Sequence, residues 1–132
     1  MASIAAAANP DSGENAVLTV IHELQSKLGT RLVTNLAVRE QHGNTVTWVK
    51  AEPPDAVAFP DSTQEISDIV KLCAARRVPV IAFGTGTSLE GHVNAPLGGI
   101  CLDLSQMKRV IAVHAEDLDC VIEPGITRKE LN

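Results

Sequence analysis

The sequence predicts an α+β fold, in which a strand–helix–strand unit is followed by the start of an antiparallel second sheet. Two short aliphatic runs, residues 55–59 and 80–83, flank a stretch whose apolar residues Ile66, Ile69, Val70 and Cys73 recur with helical spacing. Three more strand-like runs come late, at residues 99–104, 110–114 and 119–123. The last two are separated only by Glu116, Asp117 and Leu118, a loop short enough for an antiparallel hairpin. At 132 residues the chain has the size of one domain.

Residues 1–14 are Ala-rich, without the basic start and long apolar run of a secretory signal or the Arg of a mitochondrial transit peptide, and are expected to form a disordered leader. Residues 15–28 should be a helix, because Val17, Leu18, Ile21, Leu24 and Leu28 mark one apolar face and Gly29 suits its end. From 30 to 54 the periodicity fades between Gly43-Asn44 and Pro53-Pro54. Residues 15–52 are therefore read as an amino-terminal helix and an irregular wrap, with the main domain at 53–132.

The strand at 55–59 is closed by Pro60, which cannot donate to a ladder. Ser62 and Glu65 then have the spacing of a capping box, and the apolar stripe runs to Arg76-Arg77, whose charge complements the helix dipole. The uninterrupted run 80–83 has the character of a parallel strand buried on both faces, with a right-handed crossover from the strand before it. Thr127 and Glu130 form another capping box, but the chain ends after one turn, too little to nucleate a helix alone. The domain is read as truncated.

Composition excludes several functions. The net charge of −5 and scattered basic residues argue against a nucleic-acid partner, and Arg76-Arg77 is the solvated end of a helix. Trp48, Phe59 and Phe83 are the only aromatics, so there is no stacking platform. No apolar run approaches the roughly 20 residues of a membrane span. Cys73, Cys101 and Cys120 show no CxxC or zinc spacing; they read as buried reduced thiols of an intracellular, cytoplasmic protein, and no metal site is expected.

The stretch that carries chemistry is Phe83-Gly84-Thr85-Gly86-Thr87-Ser88-Leu89-Glu90-Gly91-His92, directly after a strand. Glycines 84, 86 and 91 permit positive φ, so successive N–H groups can turn inward on an anion, with Thr85, Thr87 and Ser88 adding hydroxyls. A pyrophosphate suits such a loop. It lacks the Gly-Lys-Ser/Thr of a P-loop and does not open a helix in the dinucleotide-binding manner. What remains is a nucleotide bound in another mode, or a glycine-rich connection with no ligand.

Four blocks in register narrow the choice: residues 54–60, the run from Val80 through Gly84-Thr85-Gly86-Thr87-Ser88 to Ala95, residues 102–107 and residues 117–127. Together they resemble the FAD-binding domain of the vanillyl-alcohol oxidase and p-cresol methylhydroxylase (PCMH-type) superfamily, most closely its D-lactate dehydrogenases and glycolate oxidase D subunits. The resemblance implies FAD between two subdomains. Its pyrophosphate would lie on Gly84 to Ser88, bordered by Phe83, Gly91 and His92, and Pro124-Gly125 would approach the adenosine or ribityl side. Relatives that attach flavin covalently in this loop have histidine where Thr87 stands, so non-covalent FAD is implied.

The resemblance further implies oxidation of a D-2-hydroxyacid, with electrons passed to a cytochrome, a quinone or an electron-transfer flavoprotein, and a mitochondrial location if the source is eukaryotic. The substrate-holding region is absent, and no catalytic residue is assigned within the chain. A non-catalytic truncated fragment, or a small subunit that completes its domain with a partner chain, stands as the alternative.

Of the other polar residues, His92 is expected to hydrogen-bond backbone and fix the loop rather than face the flavin. Glu90 should be a loop acceptor, Asp103 should cap the turn before Met107, and His22 should be solvated. His22, His42 and His114 share no metal spacing.

Overall fold

The computed structural model describes residues 13–44 and 46–132. The expected leader lies outside the described residues except for its last two, which open the first helix. Helix α1 (Gly13–Leu28) buries Val20, Leu24 and Leu28, half-buries Val17 and Ile21, and leaves Leu18 exposed, so the buried face is turned slightly from the expected stripe. Gly29 ends it at φ +57°, a left-handed conformation that glycine adopts without a Cβ penalty.

The wrap is more ordered than expected. A 3₁₀ turn (Gly29–Arg31) leads into β1 (Leu32–Val33) and then α2 (Leu36–Gly43). Asn35 caps α2, its Oδ1 accepting the N–H groups of Ala37 at 2.9 Å and Val38 at 3.4 Å. Neither element carries an apolar period: β1 is two residues long, and the residues α2 buries are His42 and Gly43.

Strand β2 (Ala56–Ala58) is wholly buried, and α3 (Thr63–Ala75) follows it. Ser62 caps α3 by accepting the Glu65 N–H, but the reciprocal half of the box is missing. The Glu65 carboxylate instead accepts the Asp61 N–H and both terminal nitrogens of Arg31, each at 2.6 Å. Ile69 and Cys73 face the core while Val70 is exposed. Arg76 ends the helix and pairs with Glu23 of α1.

β3 (Val80–Phe83) and β4 (Ile100–Asp103) complete a four-stranded sheet of order β1-β2-β4-β3. β2, β4 and β3 are parallel, with Val57, Cys101 and Ile81 in register, and β1 joins β2 antiparallel. The expectation that β3 is buried on both faces is wrong. The long connection after β3 returns β4 between β2 and β3, which leaves β3 at the edge with Val80 and Ala82 exposed, while β4 is buried throughout.

Helices α1 and α3 cover one sheet face, where Val20, Leu24, Ile69 and Cys73 meet Ala56, Ala58, Ile100 and Leu102. The short Ala side chains of β2 let those helices approach closely. The opposite pleat carries Phe59, Phe83 and Asp103, which α2 meets through His42.

The antiparallel pair expected at the end is present: β5 (Val110–His114) pairs β6 (Asp119–Ile122), with one irregularity between Val110 and Ala112. α4 (Arg128–Leu131) carries the complete Thr127–Glu130 capping box. All three cysteines are free, but Cys120 is exposed rather than buried, because among the described residues no element packs over β6, whereas Cys73 on α3 is pressed against the parallel sheet.

Candidate functional site

The site is built at the carboxyl ends of the parallel strands. β3 ends at Phe83, and its chain passes directly into the 84–91 loop. The Leu104 N–H after β4 donates to the Phe83 carbonyl at 3.0 Å, which ties that end of β4 to the root of the loop. Gly86 and Gly91 take φ of +69° and +76°. Gly84 does not adopt positive φ, so of the three glycines only two use the left-handed freedom the sequence offered.

Among the described residues, the backbone N–H groups of Thr85, Gly86, Thr87, Ser88, Leu89, Glu90 and Gly91 donate to no protein acceptor. A buried run of this kind would be costly, but this loop is largely exposed and water can satisfy it. Consecutive N–H groups left without protein acceptors, with left-handed glycines among them, are donors available to an anion. No Lys or Arg lies between Arg77 and Lys108, so the loop itself offers main-chain N–H groups and hydroxyls rather than a cationic side chain. That chemistry fits the diphosphate of a dinucleotide.

The loop hydroxyls pair with one another and with a histidine. Thr85 Oγ1 lies 3.1 Å from Thr87 Oγ1, and Ser88 Oγ lies 2.7 Å from His92 Nδ1. His92 therefore braces the loop through a side chain, not through the backbone as expected, because the chain turns back on itself four residues after Ser88. Glu90 is exposed and accepts no hydrogen bond among the described residues, contrary to its expected role.

Pro124 and Gly125 come to the same end of the sheet. The Gly125 N–H donates to Met107 O at 2.8 Å, and a Cβ at Gly125 would collide with the carbonyl oxygens of Leu104 and Met107. Close packing on that turn accounts for Gly125, and Leu104 links it to Phe83. Glu123, just before, accepts from the Arg109 N–H at 2.8 Å and from its guanidinium at 2.7 and 2.8 Å. The guanidinium and the amide hold this carboxyl below its usual range.

Sequence reasoning missed a buried polar cluster beneath the loop. His42, 7 % exposed, places Nε2 2.8 Å from Asp103 Oδ2 and Nδ1 2.8 Å from Val38 O. A carbonyl only accepts, so Nδ1 carries a proton. The Asp103 Oδ1 accepts the Ser105 N–H at 2.8 Å, which is the turn cap expected of it. The two partners are 61 residues apart in sequence, and no local signal joins them. Gly43 was the available hint, because a Cβ there would strike the backbone of Glu52 and Pro53.

His22 is exposed, as expected. No group of three or more metal-ligating side chains occurs among the described residues, nor any helix long and apolar enough to cross a membrane.

Comparison with known proteins agrees with this geometry. The sequence profile described as "FAD binding domain" matches residues 54–132. "Probable D-lactate dehydrogenase, mitochondrial" of Danio rerio is 47 % identical over 118 residues, which is 89 % of this chain and 24 % of that protein. "D-lactate dehydrogenase [cytochrome], mitochondrial" of Arabidopsis thaliana is 45 % identical over 115 residues, 86 % of this chain and 20 % of that protein. The chain thus spans about a quarter or less of the length of these relatives. The crystal structure of p-cresol methylhydroxylase superposes with a TM-score of 0.77 at 19 % identity over 89 % of this chain and 24 % of that one, a likeness of fold. The chain belongs to the FAD-binding domain family, with FAD as its cofactor.

Proposed function

We propose that the chain is the FAD-binding portion of a flavin-dependent dehydrogenase that oxidises a D-2-hydroxyacid, of the D-lactate or glycolate type, to the 2-oxoacid. The observation that carries this reading is the run of free N–H groups from Thr85 to Gly91 at the carboxyl end of a parallel sheet, in a chain of this family. Gly84, Thr85, Gly86, Thr87 and Ser88 would hold the diphosphate, with Gly91 and His92 closing the loop and Pro124-Gly125 bordering it. FAD, when bound, supplies a two-electron acceptor for the hydride leaving C2 of the hydroxyacid. The residues of this chain bind and orient it. A threonine at 87 offers no imidazole for attachment, so binding is non-covalent.

A cytochrome as electron acceptor is favoured by the name of the Arabidopsis relative, and a mitochondrial location by the names of both relatives. Titration of the purified protein with FAD and with riboflavin, followed by quenching of flavin fluorescence, tests the site. Riboflavin lacks the diphosphate, so FAD should bind at least about tenfold more tightly, a difference of roughly 1.4 kcal/mol. Equal affinities would remove the diphosphate from the loop.

A further inference from the structure

His42 is fixed at both ends, by the carbonyl of Val38 within its own helix and by the carboxylate of Asp103 at the end of β4. A ring held at both nitrogens cannot swing. Its face lies against Phe83, with ring centroids 4.4 Å apart and planes tilted by 47°, and its edge meets Phe59 at 5.9 Å. The Phe83 ring in turn fills the space beside Gly86, where a Cβ would approach Phe83 Cζ to 2.6 Å and Cε2 to 2.9 Å. A continuous line of contact therefore runs from Asp103 through His42 and Phe83 to the middle of the glycine loop.

Gly86 is the point where this line matters. It is a left-handed residue in the run of free N–H groups, and its φ helps set where the neighbouring amides aim. An exposed loop with few internal hydrogen bonds has many accessible shapes, and ordering it on a ligand costs affinity. The Phe83 ring, backed by a histidine that cannot move, removes part of that freedom in advance.

We propose that His42 is a positioning residue for the anion-binding loop, holding Phe83 against Gly86 so that the amides from Thr85 to Gly91 are preset for a diphosphate. The inference rests on the reading that this loop takes the diphosphate of FAD. His42 touches no ligand itself; it acts through Phe83, as supporting residues orient direct contacts elsewhere. Asp103 and Val38 hold His42, and α2 is seated closely enough for this because Gly43 lies against the backbone of Glu52 and Pro53.

The test compares FAD with riboflavin in wild type and in His42→Gln. Glutamine keeps an amide donor for Asp103 but has no ring for Phe83. FAD affinity should fall about tenfold while riboflavin affinity changes less than about twofold, since riboflavin has no diphosphate to misplace. A folded His42→Gln protein with unchanged affinity for both ligands would overturn the proposal, and so would equal losses for both. Equal binding of FAD and riboflavin by the wild type would instead overturn the underlying site. Should His42→Gln fail to fold, Phe83→Leu carries the same comparison, because it removes the ring that meets Gly86 while keeping an apolar side chain of similar bulk.

Discussion

The parallel pair β2–β4 and the hairpin β5–β6 are built from much the same residues and end in opposite circumstances. Ala56-Val57-Ala58 and Ile100-Cys101-Leu102 are buried on both faces, whereas Ile111 and Val113 of the hairpin are 62 % and 66 % exposed, and Val121 is 47 % exposed. Each region contains β-branched residues that suit a strand, Val57 and Ile100 in one and Val110, Ile111, Val113, Val121 and Ile122 in the other. Burial is decided elsewhere, by α1 and α3 lying over one pair and nothing among the described residues lying over the other. The hairpin is held mainly by its own ladder, by Glu123 on Arg109 and by the seating of Gly125 on the turn at Leu104. Strand identity is thus a property of the local sequence, and burial a property of the neighbours.

The widest gap between the regions should appear in their thiols. Burial pushes Cys101 up to about 12 and Cys73 up to about 11, and both are sealed from solvent, whereas Cys120 sits exposed on β6. Labelling of the native protein at pH 8 with an aromatic disulfide reagent should modify Cys120 promptly and the other two at least about a thousandfold more slowly. Comparable rates at all three would mean that the parallel sheet and α3 packed on it open as readily as the hairpin.

Side-chain truncation sharpens the same contrast in stability. Ile100→Ala, which empties a position of 0 % exposure, should cost about 2–5 kcal/mol, and Ile111→Ala less than about 0.5 kcal/mol, both read from urea midpoints. A large loss at Ile111 would reveal a covered hairpin face.

The smallest effect concerns the clasp between the wrap and α3. The Arg31 guanidinium holds the Glu65 carboxyl down at about 2, from an ordinary value of 4.5. A carboxyl depressed in the folded state contributes stability above its unfolded pKa, and that contribution is lost as pH falls from about 4.5 towards 2. The pair is about a third exposed, so solvent screening leaves about 1 kcal/mol. Glu65→Gln should remove that acid-sensitive part of the unfolding curve and leave the remainder of its pH dependence in place.

Most of the fold was legible where a local pattern reports a local structure. The periodic stripe of α3, the left-handed Gly29, the capping box at Thr127 and the hairpin at 110–122 all depend on residues within a few positions of one another. The edge position of β3 was not legible, because an apolar run looks the same whether a later strand comes to lie beside it or a helix covers it. The wrap hid β1 and α2 for the opposite reason: β1 gives the core a single residue, Leu32, and the other anchors are Arg31, Asn35 and His42, polar residues that no hydrophobic period registers. For the candidate site the sequence supplied the loop and its glycines, while the cluster beneath it depended on His42 and Asp103 meeting across 61 residues.

The free donors from Thr85 to Gly91 are peptide groups, and a peptide group belongs to no side chain in particular. Replacing the loop residues one at a time with alanine would leave nearly every one of those N–H groups in place, so a scan of that kind would register the glycines that shape the path and overlook the atoms that line it. The same anonymity makes the donors indifferent to which side chain each residue carries, so long as the curve of the main chain survives. The constraint is thereby moved onto residues such as Phe83 and Gly125, whose importance lies in the space they occupy or leave empty.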